Sequence, residues 1–294
     1  MGRRTPAIAA LAELARDTPR LLTPRGLRGA VLEATWWSLH LATYPWGLLH
    51  EDPEPSDRYH LGGLGPAQRG LLVQHVDTAF TPILLVHGMI DNRGIFGVLR
   101  RRLRRRGFSA LATVTYPPTT NDVRGAARGL AAEVEALIAL TGLELVHVIG
   151  HSLGGLIARY YVQRLGGDER VHTLVTLGTP HGGSLHAHLL PVRLCRQLCP
   201  GSDLMQELAL PAPGCRTRFV AYWSDGDQVI VPHVNARIEH PDLAAHNVRV
   251  PDTGHLSLPR SGRVAHEIAG LLRRDDRDAR PTASSPGRSA AADA

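Results

Sequence analysis

A chain of 294 residues with 43% hydrophobic content fits one large domain with appendages, or at most two, and leaves ample material for a core. The formal net charge of +6 comes entirely from arginine, because the sequence contains no lysine. No stacking platform or zinc-knuckle spacing accompanies that charge, so composition gives nucleic-acid binding little support. Cys195, Cys199 and Cys215 are odd in number and lie away from any motif, which reads as small buried apolar residues and not as disulfides or a thiol nucleophile.

From the amino terminus, Arg3 and Arg4 precede an apolar stretch at 7–12, but Glu13, Arg16 and Asp17 interrupt it before a signal-peptide core can form. A cytoplasmic chain without a cleaved leader is the resulting expectation. Residues 27–49 are nearly long enough to span a bilayer, yet Glu33 and His40 lie inside the segment and Pro45 breaks its end. Two readings stay open. Either a helical hairpin packs on the body, or the segment makes peripheral membrane contact through Trp36, Trp37, Tyr44 and Trp46. The prolines of 52–56 read as a linker, which sets an amino-terminal helical extension at 1–60.

A catalytic domain is expected over 61–275. Residues 81–86 form a continuous apolar run of the kind buried on both faces of a parallel sheet, and the run stops at His87-Gly88. Residues 94–106 read as a helix with Ile95, Phe96, Leu99 and Leu103 on one face and a run of arginines on the solvated other. Then come a strand at 110–115, a helix at 121–140 and a strand at 145–149, an alternation that produces a doubly wound parallel sheet.

The last of these strands enters Gly150-His151-Ser152-Leu153-Gly154-Gly155, and a helix-competent segment follows at 156–165. A serine on a strand-to-helix turn between small residues, Gly150 and Gly154, is lifted clear of the sheet, and the helix amino terminus points its N–H groups at it. Ser152 is therefore the candidate nucleophile. The amides of Met89, just past Gly88, and of Leu153 are the candidate oxyanion donors.

A buried strand at 171–177 ends in Gly178-Thr179-Pro180-His181-Gly182-Gly183-Ser184. No acidic or thiol partners stand at ligand spacing around His181, His186 and His188, so these are expected to be loop histidines, and no metal is expected. Leu-rich pieces at about 184–214 form a helical insertion, a cap or lid over the site. A strand at 217–223 runs into Ser224-Asp225-Gly226-Asp227, where an orienting acid belongs. Asp227 is favoured because Asp225-Gly226 makes the turn, with Asp225 as the alternative. A short strand at 247–250 leads to Gly254-His255, and His255 is the candidate general base. A helix over 261–273 closes the domain, and 276–294 reads as a disordered tail.

With these elements together, the chain resembles the α/β-hydrolase superfamily, and within it the bacterial triacylglycerol lipase and esterase group of actinobacterial type. The resemblance rests on Pro82 to Asn92, on Gly150 to Gly155, on Leu177 to Gly183, on the Asp-x-Val segment at Asp227 and on Gly254-His255, and it covers roughly 81–272. It implies a serine hydrolase of small-molecule or lipid acyl esters, working through Ser152, His255 and Asp227 and an acyl-enzyme, with no essential cofactor. The spacing from Asp227 to Pro232 is longer than the group's usual Asp-x-x-Val-Pro. An acyltransferase with the same three residues and a catalytically silent binding protein on the same fold are the rival functions.

Overall fold

A computed structural model describes residues 81–89, 91, 93–108, 110–114, 116 and 120–278, together with 23–24, 27–29, 31–36, 38 and 42 nearer the amino terminus. The apolar stretch 7–12, the linker 52–56, Asn92 and residues 279–294 lie outside the described residues, as does most of 37–49.

Six strands form one sheet: β1 (Ile83–Val86), β2 (Leu111–Val114), β3 (Val146–His151), β4 (Val171–Leu177), β5 (Arg218–Trp223) and β6 (Ala244–Arg249). Their order is β2-β1-β3-β4-β5-β6, and every neighbouring pair is parallel. The helices between and after them are α1 (Gly97–Arg105), α2 (Val123–Thr141), α3 (Leu153–Arg164), α4 (Arg193–Gln197), α5 (Asp203–Ala209) and α6 (Gly262–Asp278). The expected doubly wound α/β-hydrolase architecture is what forms.

The period of two along each strand divides the core. Leu84, Val86 and Val148 pack with residues of α2 and α3, while Ile83, Leu85 and Ile149 pack on the other face with Leu99, Leu103 and residues of α6. Both sets are apolar, which is why the strands read as continuous hydrophobic runs. β6 pairs on one side only and is half exposed.

Strand order also locates a crevice. The chain leaves β1 toward β2 on one side and returns to β3 on the other, so the strand order reverses between β1 and β3. Such a reversal point is where open parallel sheets hold ligands. Gly88 follows β1 there, and Ser152 follows β3.

Boundaries differ from expectation in three instructive places. Residues 93–96 form a 3-10 turn before α1 and not its first turn, with Ile95 and Phe96 buried. β6 begins at Ala244, ahead of the expected 247, because backbone pairing of Ala244 with Arg218 extends an edge strand where side chains give no signal. The closing helix α6 runs to Asp278, past the boundary at 275 where a disordered tail was expected. Asp275 and Asp276 look like tail residues by composition, but they are buried. Thr173 Oγ1 donates to Asp275 Oδ2 at 2.8 Å, Arg218 pairs with Asp275, and His147 Nε2 lies 2.9 Å from Asp276 Oδ1. Those partners offset the desolvation of two carboxylates and carry the helix on under the amino ends of β3 and β4.

The insertion over 184–214 is helical, as expected, and tightly tied. Arg124 Nε donates to both oxygens of Glu207 at 3.1 and 3.0 Å, and the Tyr160 hydroxyl donates to Glu207 Oε2 at 2.9 Å. The buried Arg159 donates to the Leu208 carbonyl at 3.1 Å, and Gln197 Oε1 accepts from the Val123 N–H at 3.0 Å. α4 and α5 are thereby joined to α2 and α3. Among the described residues, no helix is long and apolar enough to cross a membrane.

Candidate active site

At the end of β3, Ser152 adopts φ 53°, a strained value for a residue with a side chain. Its N–H donates to the Leu177 carbonyl at 2.9 Å, which locks the turn against the end of β4. The glycines on either side are obligatory. A Cβ on Gly150 would run into the backbone of Gly155, and one on Gly154 would run into the Val86 and His87 carbonyls. Three backbone segments therefore meet with no side chain between them, and α3 starts at Leu153 with Ser152 as its cap residue.

The β1 loop lies against this turn. A Cβ on Gly88 would stand 3.0 Å from the Ser152 Cβ, so the backbone leading to Met89 passes directly beside the serine. Tyr116, not singled out from the sequence, braces that loop: its hydroxyl bonds the carbonyls of His87 at 2.6 Å and Gly88 at 2.8 Å, and its ring stacks on His87 with centroids 4.3 Å apart. Those two bonds hold the backbone of the loop just ahead of Met89. Met89 is half-buried and Leu153 buried.

Asp227 and His255 meet. His255 Nδ1 donates to Asp227 Oδ2 at 2.8 Å, while Asp227 Oδ1 accepts the N–H groups of Val229 and Ile230 at 2.9 and 3.1 Å. Asp227 is fully buried and His255 nearly so. Burial pushes the Asp227 carboxyl up, but His255 and the two amides together outweigh it and hold it below its ordinary value. Burial likewise pulls the His255 imidazole down, and the Asp227 charge and hydrogen bond, with Glu33 and Asp91 further off, bring it above its ordinary 6.5. Asp225 takes another place: it pairs with Arg249 and accepts the Asp252 N–H at 3.2 Å. Ser224 Oγ accepts from Gly226 and from Thr253, each at 3.0 Å, so the aspartate loop and the histidine loop are stapled together.

His151 connects this pair to the serine turn. Its Nε2 lies 3.2 Å from the His255 carbonyl, its Nδ1 lies 3.3 Å from Asp91 Oδ2, and its ring stands 4.8 Å from that of His255. Ser152, Gly88, Asp227 and His255 are thus gathered at one end of the sheet. His181 is buried, bonded to Thr176 Oγ1 at 2.9 Å, and pushed well below its ordinary value by burial and by Arg159. It supports the loop, and among the described residues no cluster of His, Cys, Asp or Glu could hold a metal ion.

Sequence reading passed over Asp91, Tyr116 and His151, which have no role until three loops are brought together. Glu33 was noticed, as a charge spoiling an apolar segment. In the fold it is buried and bonded to the residues that follow His255.

Comparison with known proteins agrees with this fold. The chain is 31% identical to a triacylglycerol lipase of Vibrio cholerae over 134 residues, covering 44% of this chain and 40% of that protein. It is 31% identical to a triacylglycerol lipase of Pseudarthrobacter phenanthrenivorans over 110 residues, covering 35% and 34% respectively. Less than half the length of each relative is thus spanned. Among solved structures, the mature form of a Bacillus licheniformis lipase superposes with a TM-score of 0.56 at 18% identity, covering 67% of this chain and 93% of that one. Aspergillus fumigatus lipase B superposes with a TM-score of 0.59 at 14% identity, covering 65% and 52%. At such identities the structural likeness speaks for the fold. The sequence profile described as palmitoyl protein thioesterase matches residues 82–232, from the start of β1 through the aspartate loop and over half the chain. The chain belongs to that family, within the α/β-hydrolase lipase and esterase group.

Proposed function

We propose that the protein is a serine hydrolase of acyl esters. The observation that carries the reading is the buried Asp227–His255 hydrogen bond of 2.8 Å, set at the same sheet end as a serine held at φ 53°. His255 takes the Ser152 proton, and the alkoxide adds to the ester carbonyl. The N–H groups of Met89 and Leu153 hold the oxyanion that develops. Collapse of the tetrahedral intermediate breaks the ester bond, and the leaving alcohol departs with the proton from His255. Water then gives its proton to His255 and attacks the acyl-enzyme, releasing the acid and restoring Ser152. Asp227, bonded to Nδ1, fixes the tautomer that presents Nε2 to the serine. The triacylglycerol lipases among the relatives support a lipid ester as substrate.

A second reading takes an acyl thioester, favoured by the description of the family profile. The two differ in the leaving group. The test is labelling with a fluorophosphonate, run beside nitrophenyl esters of graded acyl length and the matching acyl thioesters. Rates that hold or rise with chain length support a lipid ester, rates that fall steadily leave a short-chain esterase, and preference for thioesters selects the second reading. Absence of both labelling and turnover overturns the proposal.

The acid side of the pH–rate profile follows from His255. The neutral imidazole is the working base, so turnover is expected to fall as pH drops through the folded-state value. That value lies above the ordinary 6.5, so the loss is expected to begin nearer neutrality than an unpaired histidine would give. A kcat/KM profile against pH checks it, and an acid limb below 6.5 would contradict it.

A further inference from the structure

Residues 31–36 are helical, and their polarity is turned inside out. Leu27, Val31 and Leu32 are 60%, 58% and 47% exposed, whereas Glu33 is 5% exposed. A helix packed on a body normally buries its apolar stripe. Here the buried group is a carboxylate, which costs free energy unless its oxygens find donors.

The donors it finds all belong to the segment just past His255. Glu33 Oε1 accepts the Leu256 N–H at 2.7 Å, and Oε2 accepts the Ser257 N–H at 3.2 Å and the Ser257 hydroxyl at 2.9 Å. Leu256 lies 223 residues further along the chain. A Cβ on Gly254 would collide with the Glu33 carboxylate, so glycine at that position admits the acid to the backbone on the other flank of His255. Trp36, one turn on, lies under Arg260 with the guanidinium carbon 4.7 Å from the ring centroid, and Arg260 donates to the Leu256 carbonyl at 2.8 Å. Leu256 is thereby gripped at its N–H by Glu33 and at its carbonyl by Arg260.

We infer that Glu33 is a positioning residue: the amino-terminal helix supplies its carboxylate as a fixed acceptor for the Leu256 and Ser257 N–H groups and so sets where the His255 imidazole stands. This rests on the reading of His255 as the general base. Asp227 orients the ring through Nδ1, and Glu33 fixes the backbone from which the ring projects. The amino-terminal helix is then part of the active site. The charged and titratable groups facing His255 are Asp227 at Nδ1, His151 at 4.8 Å between ring centroids, and Glu33, Asp91 and Arg260 around them. Removing the Glu33 charge leaves His255 with less support for its protonated form.

The test compares Glu33→Gln with the wild-type chain by NMR titration of the His255 imidazole and by kcat and KM on the best ester of the graded series. Glutamine keeps the shape but turns an N–H toward one of the donors. The titration midpoint is expected to move to lower pH, and kcat to fall about tenfold with KM little changed, the size of losing one charge-assisted hydrogen bond. A folded Glu33→Gln chain with wild-type midpoint and kcat overturns the inference. If Glu33→Gln does not fold, Ser257→Ala, which removes one of the three donors and keeps the charge, decides: a smaller fall in kcat with the His255 midpoint unmoved or higher supports it, and an unchanged kcat overturns it. If wild type turns over no ester, the hydrolase reading falls, and the imidazole titration still decides whether Glu33 acts on His255.

Discussion

Ser152→Ala is expected to abolish fluorophosphonate labelling and to lower ester turnover by at least about ten-thousandfold. The size follows from what the proposed mechanism asks of the hydroxyl: without it no acyl-enzyme would form, and only the proposed oxyanion donors and bound geometry would remain to speed direct attack by water. The fold is expected to tolerate the change. φ 53° is imposed by the turn on whatever residue stands there, and alanine meets the same strain as serine with one atom fewer in a crowded corner. Equal melting temperatures for variant and wild type would therefore separate lost chemistry from lost structure. Substantial turnover in the variant would remove Ser152 from the mechanism.

Asp227→Asn is the second large effect, about ten-thousandfold in kcat. The amide can turn its N–H₂ toward Nδ1 and stabilise the tautomer whose proton sits on Nε2, which is the wrong one for taking a proton from Ser152. The charge that holds His255 above 6.5 is lost as well, so the acid limb of whatever activity remains is expected at lower pH than in wild type. Asp225→Asn is the matched control. Asp225 faces Arg249 and the Asp252 N–H, and its substitution is expected to change kcat less than about threefold, as for a surface ion pair. If Asp225→Asn proved the damaging one, the two aspartates would exchange roles.

Much of this architecture could be read from the chain because its cause is local. Strands apolar on both faces announce a covered parallel sheet, and the crowding that forces glycine at 150 and 154 leaves a mark in the sequence. Asp225-Gly226 as a turn, with Asp227 facing inward, is likewise short-range chemistry. What escaped was made by distance. Asp275 and Asp276 have the composition of a tail and become core only because His147, Thr173 and Arg218, near the amino ends of β3, β4 and β5, receive them. Asp91 and His151 sit within the motif strings, but their hydrogen bonds run between loops. Glu33 is the sharpest instance: a lone charge in an apolar segment argues against a membrane span, yet nothing nearby in the sequence says which amides it will meet.

The bonds that join α4 and α5 to the body have a thermal consequence. A flap hung on two strands of chain opens alone, at a free-energy cost far below that of unfolding the domain. Here opening means separating Arg124 and Tyr160 from Glu207 and stripping Arg159 of the Leu208 carbonyl in the same event. Those ruptures fall on α2 and α3, which carry one half of the core, so the insertion and its platform melt as one cooperative unit. Warming such a protein is expected to release the insertion together with that half of the core, not ahead of it.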